Sequence, residues 1–146
     1  MLKKLKSSNK GFTIIEVLIV LAIAALILLI IFLAVPALQR NSRNTAIRND
    51  AAGVLGGVSE YQSLNNGSLP TSIAGTGTIN YGAGNTTSAN VQGSTTVALA
   101  AGFPAGPGTI NIQIGATCAG GASARAYNAK FLVERAGGTA QQCVDS

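Results

Sequence analysis

An uncharged apolar run near the amino terminus limits how this chain can fold more than any other feature. Residues 17–38 comprise 22 positions without Asp, Glu, Lys or Arg. A helix needs about 20 residues to span the hydrocarbon core of a bilayer, whereas an ordinary secretory signal has an apolar core of only about 7 to 15 residues. The run therefore predicts a membrane-spanning helix. The alternative interpretation is a buried helix of a soluble protein.

The net charge of +5 is concentrated ahead of this run, where positions 3, 4, 6 and 10 are all lysine. Subtracting these four charges leaves +1 for the remaining residues, so the outer domain is nearly neutral. Lysines before a membrane span favour a cytoplasmic amino terminus, whereas Arg40, Arg43 and Arg48 after the span weaken that argument. We expect the amino terminus to be cytoplasmic.

Two distal cysteines give a second argument for this orientation. Cys118 and Cys143 are the only cysteines, and the chain has no histidine. Such a pair suits an oxidising compartment, and a disulfide closing a loop of about 25 residues would contribute on the order of 3 kcal/mol. The alternatives are two free thiols or intermolecular bonds. Two cysteines without histidine are too few for a usual zinc site, so we expect no metal and no cofactor.

An amphipathic pattern continues beyond the apolar run. Apolar side chains recur at helical spacing over residues 47–61, and Asn66-Gly67 followed by Pro70 predicts that the helix ends near Asn65. Pro36 predicts a kink or local unwinding, because proline lacks the backbone N–H and crowds the preceding turn.

Three glycines weaken the part of this helix that lies in water. Gly53, Gly56 and Gly57 each cost about 1 kcal/mol relative to alanine. We therefore expect this half of the helix to be held by packing on a globular domain. The missing side chains also allow a sheet to approach the helix closely.

The distal half predicts short β-strands after a loop region. Residues 67–108 are rich in Gly, Ser and Thr and predict loops and short strands with little core of their own. Apolar alternation predicts strands at residues 109–115 and 127–135, and a turn at 136–139 leads to a short last strand ending at Cys143. The resulting fold is α+β, with an antiparallel meander packed on the amphipathic helix.

The segment KGFTIIE, residues 10–16, carries a resemblance to a known family. Together with the lysine-rich leader and the uncharged helix, it resembles the class III signal of type IV pilins and the related pseudopilins. The close resemblance covers about residues 3–40, and the distal half is similar in layout only. It implies a pilin-like organisation: a cleaved leader (1–11), a transmembrane and filament-core helix (12–38), its amphipathic continuation (39–66), the loop region (67–108) and a meander with a disulfide loop (109–146).

The resemblance implies a processing reaction and a set of partners. A prepilin peptidase would cut between Gly11 and Phe12 and methylate the new amino group of Phe12. The precursor would be a single-pass protein of the inner membrane. An assembly platform with its motor ATPase would then add it, beside identical subunits, to an extracellular pilus that serves motility, adhesion or DNA uptake.

Glu16 is an acidic residue just inside the membrane-length helix. In a filament it would move into an apolar core, where an unpaired charge costs several kcal/mol. We expect the Phe12 amino group of a neighbouring subunit to neutralise it and so to fix the axial register. The alternative is an interfacial carboxylate that reaches water by snorkelling.

Other function classes have less support in the sequence. The alternatives to a pilus subunit are a secretion pseudopilin and a membrane-anchored adhesion module that never polymerises. An enzyme is not expected, because there is no histidine and no serine or cysteine with an obvious base. Arg125, Lys130 and Arg135 are candidates for a DNA-binding or surface-binding patch. More often, three such residues only form the solvent-exposed face of a strand.

Overall fold

The computed structural model describes residues 11–82, 87–92 and 94–146. Residues 1–10, nearly all of the predicted leader, lie outside that part of the chain. The described residues form one helix followed by a β-sheet, which is the α+β, pilin-like architecture expected from the sequence. The elements are α1 (Ile14–Leu64), β1 (Ile73–Thr76), β2 (Thr78–Tyr81), β3 (Thr87–Asn90), β4 (Thr96–Leu99), β5 (Thr109–Ala116), β6 (Ala122–Arg135) and β7 (Gly138–Asp145).

The end of α1 follows from two residues with positive φ. The helix stops at Leu64, one residue before the predicted end. Asn66 and Gly67 then have φ angles of 53° and 82°, and the Gly67 N–H donates to the Gln62 carbonyl at 2.8 Å. Glycine adopts this left-handed conformation without steric penalty, and the bond satisfies a carbonyl that the helix leaves free.

Helical backbone continues through Pro36. Local unwinding at this proline is therefore absent from the described helix, and the kink stays a prediction. The chain divides into two compact units, one ending at Leu38 and the other comprising Gln39–Ser146.

The sheet has the strand order β3-β2-β1-β4-β5-β6-β7. All neighbouring strands are antiparallel except β4 and β5, which are parallel. The antiparallel meander predicted for residues 109–146 is confirmed by β5, β6 and β7. The parallel pair of β4 and β5 was not predicted. Parallel neighbours require a crossover connection, and residues 100–108 provide it as a loop without a helix.

The segment predicted to form loops and short strands does contain four short strands. It also contributes several core side chains, so only the expectation of little core was wrong. Ile73, Ile79, Tyr81 and Val97 are each at most 2 % exposed. β1, β2 and β4 have only four residues each and bury one or two apolar side chains, which is too few to establish a period of two.

The hydrophobic core lies between the carboxyl-terminal part of α1 and one face of the sheet. From the helix, Ala51, Val54 and Val58 are fully buried, as the amphipathic pattern predicts. The sheet contributes the alternating side chains of its long strands. These include Ile110 and Ile112 of β5 and Tyr127, Ala129, Phe131 and Val133 of β6.

One tyrosine from β2 inserts against the helix. Tyr81 is fully buried, and its hydroxyl donates to the Val54 carbonyl at 3.0 Å. A Cβ added at Gly57 would lie 2.4–2.7 Å from three atoms of the Tyr81 ring and hydroxyl, whereas one added at Gly53 or Gly56 would meet nothing within 4 Å. The expected close approach of the sheet therefore occurs at Gly57 and not at the other two glycines.

The crossover loop lies on the face of the sheet opposite α1. Lys130 and Asn111, which are cross-strand partners, donate to the carbonyls of Ala101 and Gly102 at 2.7 and 2.9 Å. The Lys130 ammonium also donates to Gln113 and lies 5.6 Å from the centre of the Phe103 ring. These polar contacts fix a loop that has no regular structure of its own.

A polar cluster joins α1 to the end of β6. The Arg43 guanidinium donates two hydrogen bonds to the Glu134 carboxylate, at 2.7 and 2.6 Å. The Asn44 side chain donates to the Glu134 carbonyl and accepts from its N–H, at 2.8 and 2.7 Å. The Asn44 amide thus pairs with β6 as a neighbouring strand residue would.

The Arg43–Glu134 pair predicts that wild type and Glu134→Gln differ in stability by an amount that depends on pH. Its hydrogen bonds hold the pKa of the Glu134 carboxyl below the ordinary value of 4.5. A depressed acid pKa stabilises the fold above the unfolded-state pKa, and this contribution disappears as the pH falls through the folded-state pKa. The free energy of unfolding of wild type should therefore exceed that of Glu134→Gln at about pH 6 and converge with it towards about pH 3. Urea unfolding at both pH values would measure this, and a difference that persists at low pH would contradict it.

Asp50 is a buried carboxylate, only 6 % exposed, that joins α1 to the segment before β4. Its two oxygens accept from the Gln92 N–H at 3.0 Å and from the Thr95 hydroxyl at 2.6 Å. We expect Asp50→Ala to lower the free energy of unfolding by about 2 kcal/mol, because it leaves both donors without their partner. Urea unfolding should show a change below about 0.5 kcal/mol for the adjacent, exposed Asn49→Ala. Equal effects of the two substitutions would refute this role.

Candidate processing and assembly site

The predicted cleavage site lies immediately before the first turn of α1. Gly11 and Phe12 precede the helix, and Phe12 is 88 % exposed. A Cβ added at Gly11 would meet no described atom within 4 Å. The packing of the described residues therefore does not require glycine at this position.

Thr13 and Glu16 form a reciprocal cap at the start of the helix. The Thr13 N–H and hydroxyl both donate to Glu16 Oε2, at 2.9 and 2.7 Å. The Glu16 N–H in turn donates to the Thr13 hydroxyl oxygen at 3.3 Å. This is the capping-box arrangement, in which two backbone N–H groups that the helix leaves free find side-chain acceptors. It explains why α1 begins at Ile14 rather than at Phe12.

The capping role of Glu16 was missed in the interpretation of the sequence, although its signal is present. Threonine followed three residues later by glutamate, just before an apolar run, is the usual pattern of a capping box. Glu16 Oε1 has no hydrogen-bond partner among the described residues. The carboxylate therefore has one oxygen bonded within its own chain and one oxygen left for another group.

The helix that follows this cap presents an apolar surface that no other described residue covers. Almost every large side chain of residues 17–38 is at least 40 % exposed. By length and composition, α1 is the one helix in the described part of the chain that could cross a membrane. Leaving this much apolar surface in water is unfavourable, which fits a membrane-anchored precursor.

Comparison with known proteins decides the nature of this segment. Residues 6–32 match the family described as "Prokaryotic N-terminal methylation motif". The segment is the class III signal of type IV pilins. The class III signal supports a prepilin-type protein, either pilin-like or pseudopilin-like, and a structural role rather than an enzymatic one. No curated protein and no solved structure matches the chain.

The predicted disulfide is present in the unit Gln39–Ser146, which we call the outer unit. Cys118 and Cys143 are bonded, with a Cα–Cα distance of 5.8 Å, and link the β5–β6 turn to β7. The Cys118 N–H also donates to the Asp145 carboxylate at 2.6 Å. The two sulfurs and this carboxylate lie within 4.8 Å of one another. Because both sulfurs are in the disulfide, neither is the thiolate that a metal ion would require.

The three basic residues considered for DNA binding do not form one patch. Arg125 and Arg135 lie on one face of β6, whereas Lys130 lies on the other. Ten residues separate the two arginines, which corresponds to about 33 Å along a strand. Lys130 is already bonded to the crossover loop. The structure therefore does not bring the three together.

Proposed function

We propose that this protein is the structural subunit of an extracellular type IV pilus. The observation that supports the proposal best is the class III signal, placed directly before a capped helix whose apolar surface is left exposed by the other described residues. In the membrane, lipid would cover this surface. In the filament, the helices of neighbouring subunits would cover it, and the head-to-tail contacts would form an open-ended helical array.

Processing supplies the reason for glycine at position 11. The chain itself does not need glycine there, so we infer that the requirement comes from the peptidase. An extended backbone without a side chain enters a protease site with the least steric hindrance. Cleavage between Gly11 and Phe12 would release a cationic amino group, which the peptidase would then methylate.

Glu16 would then act in assembly through its second oxygen. The bond from Thr13 keeps Oε2 within the chain, and Oε1 would accept from the Phe12 ammonium of a neighbouring subunit. Subunits docked at a wrong axial offset would bury both charges without partners, at a cost of several kcal/mol. Glu16 would therefore cap its own helix and fix the filament register.

The same class III signal also serves a secretion-type pseudopilin, which is the second candidate. Both candidates require the inner membrane, a prepilin peptidase and an assembly platform with its motor ATPase. They differ in the product, because a pilus is a surface filament that can be sheared from cells. A membrane-anchored module that never polymerises would yield no filament at all.

A processing experiment tests the proposal. The full-length chain is expressed in membranes with a prepilin peptidase, and intact-mass spectrometry measures the subunit. Wild type should lose residues 1–11 and gain one methyl group, whereas Gly11→Val should stay uncut. Lys10→Gln is the control, because it removes an adjacent charge but keeps the glycine, and it should be cut. Cleavage of Gly11→Val at the wild-type position would contradict the proposed role of Gly11.

A further inference from the structure

Strand β7 forms one edge of the sheet, and no other described strand pairs with its outer side. It has 8 residues, and its pairing with β6 continues without a register shift from Gly138 to Asp145. The strand at the opposite edge, β3, has only 4 residues. β7 is therefore the longer of the two edges.

One hydrogen bond shows which backbone groups of β7 point outward. The Ser146 N–H donates to the Tyr127 carbonyl at 3.1 Å, and these residues occupy the next position of the β6–β7 register. In an antiparallel pair, positions that are bonded to the partner strand alternate with positions whose N–H and C=O point away from it. The residues whose backbone groups point away from β6 are therefore Thr139, Gln141, Cys143 and Asp145.

This edge lacks the features that usually prevent edge strands from pairing with one another. Those features include charged side chains, proline and β-bulges. Residues 138–144 contain no Asp, Glu, Lys, Arg or Pro, and the β6–β7 register has no bulge. Elsewhere the fold does cover free ladder groups, since the Asn44 side chain bonds to the N–H and C=O of Glu134. Among the described residues, none covers the outward groups of β7 in this way.

The edge of β7 is self-complementary in one antiparallel register. With Thr139 of one copy opposite Asp145 of a second copy, all the outward positions align and would form about eight backbone hydrogen bonds. The same register places Val144 opposite Ala140 of the second copy. Val144 is 42 % exposed, so this contact would remove apolar surface from water. No like charges meet, because each Asp145 lies opposite a neutral threonine.

We propose that β7 pairs in this register with β7 of a second copy of the chain, so that the two sheets join into one. A second copy is favoured over an unrelated strand because this register uses every outward backbone group and covers the exposed valine on both sides. The disulfide at Cys143 and the bond from the Cys118 N–H to Asp145 hold β7 in place before it pairs. Such preorganisation reduces the entropy lost on association.

The pairing fixes the relative direction of the two copies. Arg43 of the helix bonds to Glu134, the cross-strand partner of Thr139, and further along the helix Arg48 donates to Gln142. β7 therefore runs in the same direction as the outer part of α1. Antiparallel pairing would turn the two helices in opposite directions, so it would join two filaments of opposite polarity rather than neighbouring subunits of one filament. This consequence rests on the proposed function, whereas the pairing itself does not.

Opposite charges at position 139 test the register. Full-length protein is studied in a density-matched detergent, and sedimentation equilibrium measures the constant for association of two copies. Thr139→Lys places a cation opposite each Asp145 and should raise this constant roughly fivefold, whereas Thr139→Glu places like charges there and should lower it by a similar factor. The same two substitutions at Thr76, an exposed residue of β1 away from the edge, should leave it unchanged.

A proline at position 141 tests whether the backbone pairs. Gln141→Pro removes an outward N–H and leaves the β6–β7 hydrogen bonds complete, a position at which an edge strand accepts proline. It should lower the association constant roughly tenfold, because two hydrogen bonds are lost across the two-fold axis. Gln141→Ala keeps the N–H and should stay close to wild type.

Three results would overturn the proposal. They are equal association constants for Thr139→Lys and Thr139→Glu, an unchanged constant in Gln141→Pro, and a wild-type protein that stays monomeric. Circular dichroism and an intact disulfide establish that each variant is folded. Because the assay uses the uncut chain in detergent, failed processing or failed polymerisation would contradict the proposed function and leave this result unaffected.

Discussion

Replacing Glu16 by valine is expected to leave peptidase cleavage intact and to reduce the yield of surface filaments at least tenfold. The substitution would leave the Phe12 ammonium of each neighbouring subunit in an apolar core without a counter-ion. An uncompensated buried charge costs several kcal/mol, and about 1.4 kcal/mol per contact already corresponds to a factor of ten. The yield is measured as sheared filament protein relative to total cleaved subunit.

Two further substitutions separate the charge of Glu16 from its capping role. Glu16→Gln is neutral but keeps an acceptor suitable for a capping box, so it should lose filaments as the valine variant does. Thr13→Ala removes the partner within the cap, at a cost of about 1 kcal/mol, but keeps the carboxylate, so it should still assemble. Normal filament yield from Glu16→Gln would refute the pairing with the ammonium and leave Glu16 as a helix cap only.

Gly57→Ala should destabilise the outer unit by about 2 to 3 kcal/mol, the usual cost of overpacking a core. The new methyl group would lie 2.4–2.7 Å from the Tyr81 ring and hydroxyl. The ring cannot move away, because it is fully buried and bonded to the Val54 carbonyl. Urea unfolding of the full-length protein in mild detergent, followed by near-ultraviolet circular dichroism of tyrosine, measures the change.

Gly53 provides a matched control on the same helix. A Cβ at this exposed position meets nothing within 4 Å. Gly53→Ala should therefore raise the free energy of unfolding by up to about 1 kcal/mol, because alanine favours the helix. The two substitutions are identical in chemistry and opposite in expected sign. A stabilising effect at both positions would contradict the close packing of Tyr81 on the helix.

Much of the architecture could be predicted because it depends on local patterns. The uncharged run, the helical spacing over residues 47–61 and the alternation in β5 and β6 each lie within one continuous segment. The capping box of Thr13 and Glu16 also has a local signal. That signal is easily missed, because the charge of Glu16 inside an apolar helix also predicts an intermolecular partner.

The remaining features depend on contacts between distant residues. The donors to Asp50 lie 42 and 45 positions away, and no pattern near Asp50 indicates them. The parallel pairing of β4 with β5 depends on a glycine- and proline-rich loop that crosses the sheet without a helix, whereas parallel neighbours usually have one. Gly57 differs from Gly53 only through Tyr81, which is on another element.

The most direct test of the processing and assembly proposed here is mass spectrometry of the subunit in fibres sheared from the cell surface. The class III signal together with the exposed apolar helix predicts a filament whose subunits begin at Phe12 and carry one methyl group on its amino nitrogen. A surface protein that still begins at Met1, with no filament in the sheared fraction, would contradict both the cleavage before Phe12 and the assembly into a filament.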